Sequence, residues 1–360
     1  MVTDGCDVDP RGFQARRRVL SALLLAALTV LPGCGSLYLL QAARGQAQIM
    51  VKRRPIDTVV ADPATPANVR DILKEVDAAR DFASRELGLP DNRSYRLYAD
   101  LGRPYVVWNV VAAPEFSVTP RQWCFPIAGC VDYRGYFHER AARDYAAELR
   151  ARNYDTVVEG VEAYSTLGHF SDPVLSTMLS YGADDLAATI FHELAHQLLY
   201  VAGDSRFNEA FAMTVENEGL KRWLTFRGRP QQMQRFERSQ EQNRKFVALM
   251  RAARADLKAL YAQDLPVWDK RARKQERMTR LENDIRALGR RADGSSAYDA
   301  WLKGGLNNAR LVSIATYEDC VPGFQRLLEQ QGGDLQRFYD AARGLAKQPA
   351  RERDAQLCGA

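Results

Sequence analysis

The chain has 360 residues, with 50 Lys+Arg against 45 Asp+Glu and a formal net charge of +5. At 46% hydrophobic and 26% charged residues it can build one large core or two ordinary ones, which excludes a disordered, collagen-like or polytopic membrane chain. The small positive surplus is interspersed rather than gathered into a basic block, so nucleic acid is not an expected partner.

At the N-terminus Arg16, Arg17 and Arg18 precede the apolar run Val19–Leu31. That run is shorter than the roughly 20 residues of a spanning helix and fits the apolar core of an export signal. Leu31-Pro32-Gly33-Cys34 follows and resembles the bacterial lipobox, with Pro32 where a small or hydroxylated residue is usual. Residues 1–33 are therefore read as a lipoprotein signal peptide and Cys34 as the lipidated first residue that ties the chain to a membrane. Residues 34–64 are read as a membrane-proximal lead-in. An uncleaved anchor is the competing reading. Gly35 after Cys34 implies, by resemblance to Gram-negative lipoproteins, the outer membrane with the body of the chain facing the periplasm. That compartment oxidises thiols. Cys124 and Cys130, with Pro126 and Gly129 between them, are expected to close a disulfide loop, and Cys320 and Cys358 remain available as a second pair.

Thr65-Pro66 opens a helix whose apolar period runs through Val69, Ile72, Leu73, Val76, Ala79, Ala83 and Leu87, and Gly88 stops it. Tyr95–Ala99 and Tyr105–Ala112 are rich in β-formers and read as two paired strands across Gly102 and Pro104. The Cys124–Cys130 loop and Tyr133–Phe137 continue this β-rich part. Glu139–Arg152 reads as a helix, and Tyr154–Val158 and Val161–Ser165 as short strands around Gly160. From Asp184 onward the pattern is mainly helical. Asp184–Val201 and Phe207–Leu224 form two helices joined at Gly203-Asp204-Ser205. Residues 230–262 and 266–289 are long, charged and broken near Pro266, as in a helical hairpin with solvated faces. The expected class is α+β and mainly helical. It has a small α/β part over 65–183, two site helices over 184–228 and a helical region over 229–360.

The residues that carry chemistry are His192-Glu193-Leu194-Ala195-His196. On a helix, positions four apart share a face, so both imidazoles point to one place and can hold one Zn2+ per chain, with Glu193 beside the water as general base. Leu186, Ile190, Leu194 and Leu198 form an apolar ridge on the other side of that helix, which supports it. A metzincin would place a third His where Ala202 stands, so the third ligand is expected to be a carboxylate: Asp204, Glu209, Glu216 or Glu218.

Phe207-Asn208-Glu209-Ala210-Phe211-Ala212 resembles the Asn-Glu-x-Phe-Ala segment of gluzincin aminopeptidases, where the Glu is the third zinc ligand. The resemblance implies Glu209 as ligand, with Glu216 ranked second or as a supporting neighbour. Ala43–Ile56, Tyr133–Phe137, Ala163–Pro173, HELAHQ, FNEAFA and Asn307-Asn308-Ala309 together resemble a bacterial family of exported lipoproteins described as putative aminopeptidases. That resemblance implies a zincin-like fold and a peptide or protein substrate. The Gly-x-Met-Glu-Asn segment that holds a free amine in gluzincin aminopeptidases is missing, so the peptidase reading does not fix exo or endo action. In zincins a strand before the metal helix pairs with the substrate. Tyr164, Ser165 and Thr166 are either that edge or an ordinary core strand. An oxyanion donor is expected, with Tyr317 first and Tyr200 and Tyr181 as rivals. A zinc-stabilised scaffold or envelope-assembly partner without catalysis is the alternative, and Glu193 separates the two, because a structural site has no use for a base.

Overall fold

The computed structural model describes residues 34–125 and 129–358. The leader 1–33 lies outside the described residues, and so do the side chains of Cys34 and Tyr317. The chain divides into two units, Met1–Gln48 and Ile49–Ala360, a break that falls inside the 34–64 lead-in. Helix α1 (Cys34–Val51) runs through that break, and its residues up to Gln48 are what is described of the first unit. No described helix is long and apolar enough to cross a membrane.

The second unit begins with β1 (Arg53–Pro55), α2 (Ile56–Ala61) and α3 (Ala67–Arg85). Pro66 sets the start of α3, and Leu73, Val76, Ala79, Phe82 and Ala83 form its buried stripe. Next come β2 (Leu97–Ala99), β3 (Val107–Pro114), β4 (Trp123–Phe125), β5 (Gly129–Val131) and β6 (Arg134–Tyr136). Helix α4 (Glu139–Arg150), β7 (Tyr154–Val161), β8 (Val174–Leu175) and a 3-10 turn over Ser176–Tyr181 follow. The site helices are α5 (Ala183–Leu198) and α6 (Ser205–Phe226). A long hairpin, α7 (Pro230–Tyr261) and α8 (Val267–Leu288), comes after them. The chain closes with α9 (Asp299–Leu302), α10 (Asn308–Glu318), α11 (Val321–Gln330), α12 (Leu335–Ala346) and α13 (Ala350–Leu357). Mostly helical, with a few small sheets, the protein is of the α+β kind.

The sheets differ from the sequence reading in two places. β2 does not pair with β3: it lies between β1, antiparallel, and β8, parallel. Both partners are too short for an alternating pattern to mark them. The two short strands expected around Gly160 are one strand, because β3 pairs with β7 along the whole run from Val107↔Val161 to Pro114↔Tyr154. Gly160 does not break it. A Cβ there would lie 2.4 Å from the Tyr105 ring, so the residue is glycine to let that ring cross the strand.

The β6-β3-β7 sheet packs Val111, Ala113 and Val157 against Phe246, Met250, Leu257, Met278, Leu281, Ile285, Leu311 and Val312, which closes one core over the long hairpin. Around the site helices a second buried set includes Phe191, Phe211, Trp223, Phe324, Phe338 and Tyr339. Its rings meet edge to face and stacked, as Phe211 does with Phe324 and Phe338. Cys124–Cys130 closes the β4–β5 hairpin, and Cys320–Cys358 joins the start of α11 to the end of α13.

Candidate metal centre

Helix α5 buries Leu186, Ala187, Ile190, Phe191, Leu194 and Ala195, which turns His192, Glu193 and His196 toward α6. The polar side of this helix is therefore not a solvent face: His196 is 7% exposed. Close helix approach depends on Gly219 of α6, where a Cβ would stand 2.8 Å from the Phe191 ring. The connection is short and fastened at both ends. Asn208 accepts from Val201 N at 2.7 Å and donates to Val201 O at 2.8 Å. Asp204 caps α6 by accepting from Phe207 N, and its other carboxylate oxygen receives the Arg353 guanidinium at 2.6 Å. Asp204 is thus committed to structure, and Glu218 is paired with Arg222 at 2.7 Å.

Of the four carboxylate candidates, Glu209 meets both imidazoles. His192 Nε2 lies 3.1 Å from His196 Nε2, and Glu209 Oε2 lies 3.3 Å from the first and 3.7 Å from the second. Ligands held about 2.0–2.2 Å from one tetrahedral zinc ion stand about 3.3–3.6 Å apart, so the three separations bracket the spacing that zinc requires. Two nitrogens and a carboxylate oxygen converging this closely form a donor set that fits the ion. Glu216 has a different task. Its Oε2 lies 2.8 Å from His192 Nδ1, which turns Nε2 toward the convergence point.

The electrostatics follow from burial. Desolvation raises the Glu193 carboxyl above the ordinary range, opposed by the neighbouring His192 and His196 charges. Burial would also raise Glu209, but the His196 charge and hydrogen bonds from both imidazoles hold it down to about 2. Burial disfavours charge on His192, yet its bonds to Glu209 and Glu216 raise it well above the ordinary imidazole value.

The other expected residues fall differently. Tyr164, Ser165 and Thr166 form no strand, since β7 has ended at Val161. They lead into a turn with Leu167 and Gly168 at positive φ. Asp172 holds that turn: it accepts from Thr166 N at 2.9 Å, Thr166 Oγ1 at 2.7 Å and Ser165 Oγ at 3.3 Å. The Thr166 amide is therefore taken, and the reading of this segment as a strand is corrected. Asn307 and Asn308 are structural, donating to Thr156 O and to Pro114 O and Glu115 O. Tyr200 sets its ring 6.3 Å from the His196 ring. Tyr181 donates to Glu162 Oε2 at 2.5 Å.

Sequence reasoning missed Tyr133. Its hydroxyl is pushed far up, first by burial and then by the charge of Glu209, with Tyr200, Glu193 and Tyr164 adding to it. It precedes β6 on a different element from every expected residue. Its signal was its place in the Tyr133–Phe137 segment, which carries part of the family resemblance.

Fold and cluster together define a mainly helical α+β protein with a His–His–Glu constellation on two neighbouring helices. A family model described as Putative aminopeptidase matches residues 37–357, and the chain belongs to that family. No curated protein and no solved structure matches it.

Proposed function

We propose that this protein is a zinc-dependent peptidase, exported and held by lipid on Cys34 at the periplasmic face of the outer membrane. The observation that carries the reading is the convergence of His192 Nε2, His196 Nε2 and Glu209 Oε2, with Glu193 on the same helix face. The family's name supports peptidase activity. When bound, zinc supplies a Lewis acid that polarises a carbonyl and makes water acidic near pH 7.

The chain's own residues do the rest. Glu193 takes a proton from water at the centre and returns it to the leaving amine, a role suited by a carboxyl that burial makes more basic than an ordinary glutamate. Glu216 fixes the His192 ring. The donor to the developing oxyanion is sought between Tyr317, the first candidate in the sequence, and Tyr133, whose hydroxyl feels the charges of Glu209 and Glu193.

Glu193→Gln tests the reading. Zinc content and melting temperature should stay near wild type while peptide hydrolysis falls by about 10²–10⁴. His196→Ala should lose metal and activity together. A Glu193→Gln protein that cleaves peptides as fast as wild type would remove Glu193 as the base, and a zinc-loaded wild type that turns over no peptide would leave only the scaffold reading. Cys34→Ala, followed by membrane fractionation, tests the anchor: the protein should leave the membrane fraction.

A further inference from the structure

The β4–β5 hairpin leans on the connection between the two site helices. Gly129 of β5 has a φ of +74°, and a Cβ there would lie 2.5 Å from Gly203 N and 3.0 Å from the Ala202 carbonyl carbon. Backbone meets backbone, and only glycine allows the approach. Ala202 and Gly203 belong to the turn that leads from α5, with His196, to α6, with Glu209. Asn208 and Arg353 hold the same turn through Val201 and Asp204.

The hairpin has little of its own to keep it in place. Its ladder is Trp123↔Val131, Cys124↔Cys130 and Phe125↔Gly129, and β4 and β5 form a sheet of two strands. A lone two-stranded ribbon is marginal in water. The first pair is anchored: Trp123 and Val131 are buried, and Trp123 Nε1 donates to the Tyr145 hydroxyl at 2.9 Å. The last pair carries the contact with Gly203, and the Cys124–Cys130 bond stands between the two. That bond is within reach of a thiol. Cys124 is exposed and Cys130 half-buried, whereas Cys320 of the second disulfide is 1% exposed.

We propose that Cys124–Cys130 is a redox-sensitive latch on the metal centre. Closed, it seats Gly129 against Ala202 and Gly203 and keeps His196 and Glu209 at ligand spacing. Opened by a dithiol, it frees the turn and lowers zinc affinity. A thiolate of the dithiol attacks Cys124 Sγ, the Cys124–Cys130 bond breaks, and Cys130 leaves as a thiolate that takes up a proton. The second thiol then displaces Cys124 from the mixed disulfide. The protein has gained two electrons and two protons, and the dithiol departs as its cyclic disulfide. The inference rests on the zinc reading above and adds its regulation: the centre fills where thiols are oxidised and stays metal-poor in a reducing compartment.

Zinc competition titration on the full chain tests it in three states: oxidised, reduced with dithiothreitol that is then removed without air, and reoxidised. Alkylation and mass analysis read each disulfide. Graded dithiothreitol should open Cys124–Cys130 before Cys320–Cys358. Zinc affinity should fall about tenfold as it opens and recover on reoxidation, with far-ultraviolet circular dichroism unchanged. Cys124→Ser with Cys130→Ser, which also removes the two thiols as rival ligands, should bind zinc as weakly as the reduced chain in every state. Gly129→Ala keeps the disulfide but drives the hairpin off Gly203, and should bind weakly even when oxidised. Zinc held as tightly by the reduced and double-serine chains as by the oxidised one overturns the proposal. So does Gly129→Ala at wild-type affinity, or a loss that appears only when Cys320–Cys358 opens. Each of these, with zinc bound and peptides cleaved, leaves the peptidase reading standing. An oxidised wild type that takes no zinc sinks both.

Discussion

Two helical hairpins follow one another in this chain and are built on opposite terms. In α5 eight of 16 residues are buried, on both sides of the helix, and in α8 three of 22. Helix α8 therefore keeps its charges in water and lines them up as i,i+4 pairs such as Arg280–Glu276 and Arg286–Glu282. It touches the rest of the protein through a narrow stripe of Met278, Leu281 and Ile285 and a few ion pairs to its neighbours. Helices α5 and α6 have no such freedom. A polar group between them is desolvated and must be paired or hold an ion, and the groups found there are His192, Glu193, His196, Glu209 and Glu216. Charge is abundant in one hairpin and consequential in the other.

The comparison can be broken from the tight side first. Arg353→Leu removes a guanidinium that is 7% exposed and leaves Asp204 without its 2.6 Å partner. Loss of one member of a buried pair costs about 3–5 kcal/mol, readable as a lower denaturation midpoint with an unchanged slope. Glu216→Ala takes the acceptor from His192 Nδ1 and should weaken zinc binding by about 10–100-fold in a competition titration while hardly altering secondary structure. Gly219→Ala pushes a methyl group into Phe191 and Leu87 and should destabilise by about 1–3 kcal/mol, against a near-neutral effect for a glycine in open space.

The smallest effect is expected on the long hairpin. Arg271 pairs with Glu115 at 2.6 Å, and that hydrogen bond, against a weaker pull from burial, holds the Glu115 carboxyl below its ordinary value of 4.5. A depressed carboxyl contributes stability above its unfolded pKa and loses it as pH falls through the folded value. Arg271→Ala should therefore melt slightly below wild type at pH 7, and the two melting temperatures should converge as the solution is acidified below pH 4. A gap that widens in acid would contradict the assignment.

The same contrast explains what could be read in advance. The i,i+4 spacing of His192 and His196 and the apolar ridge beneath them are helical periodicities, local in sequence, and α5 and α6 follow them. The charged hairpin is local too. Cys124–Cys130 was legible because the two thiols stand only six positions apart, with Pro126 and Gly129 between them in the sequence. What escaped was set by distant partners. β2 pairs with β8, a two-residue strand without a pattern of its own. The turn at Thr166 depends on Asp172, whose carboxylate nothing in the local alternation announces. Tyr133, just ahead of β6, was visible only as part of the Tyr133–Phe137 segment, and nothing local ties its hydroxyl to the charges of Glu209 and Glu193.

The Arg353–Asp204 contact spans 149 residues. Arg353 lies on α13, whose end is fastened through Cys358 to Cys320, and it braces the first turn of the helix that aims Glu209. During synthesis all the residues of the centre are made long before their brace. A nascent or truncated chain ending ahead of Arg353 carries the whole His–Glu set yet lacks the contact that orients it. The two site helices therefore do not brace themselves: the first turn of α6 gains its Arg353 partner only when a segment 149 residues further along has folded back onto it.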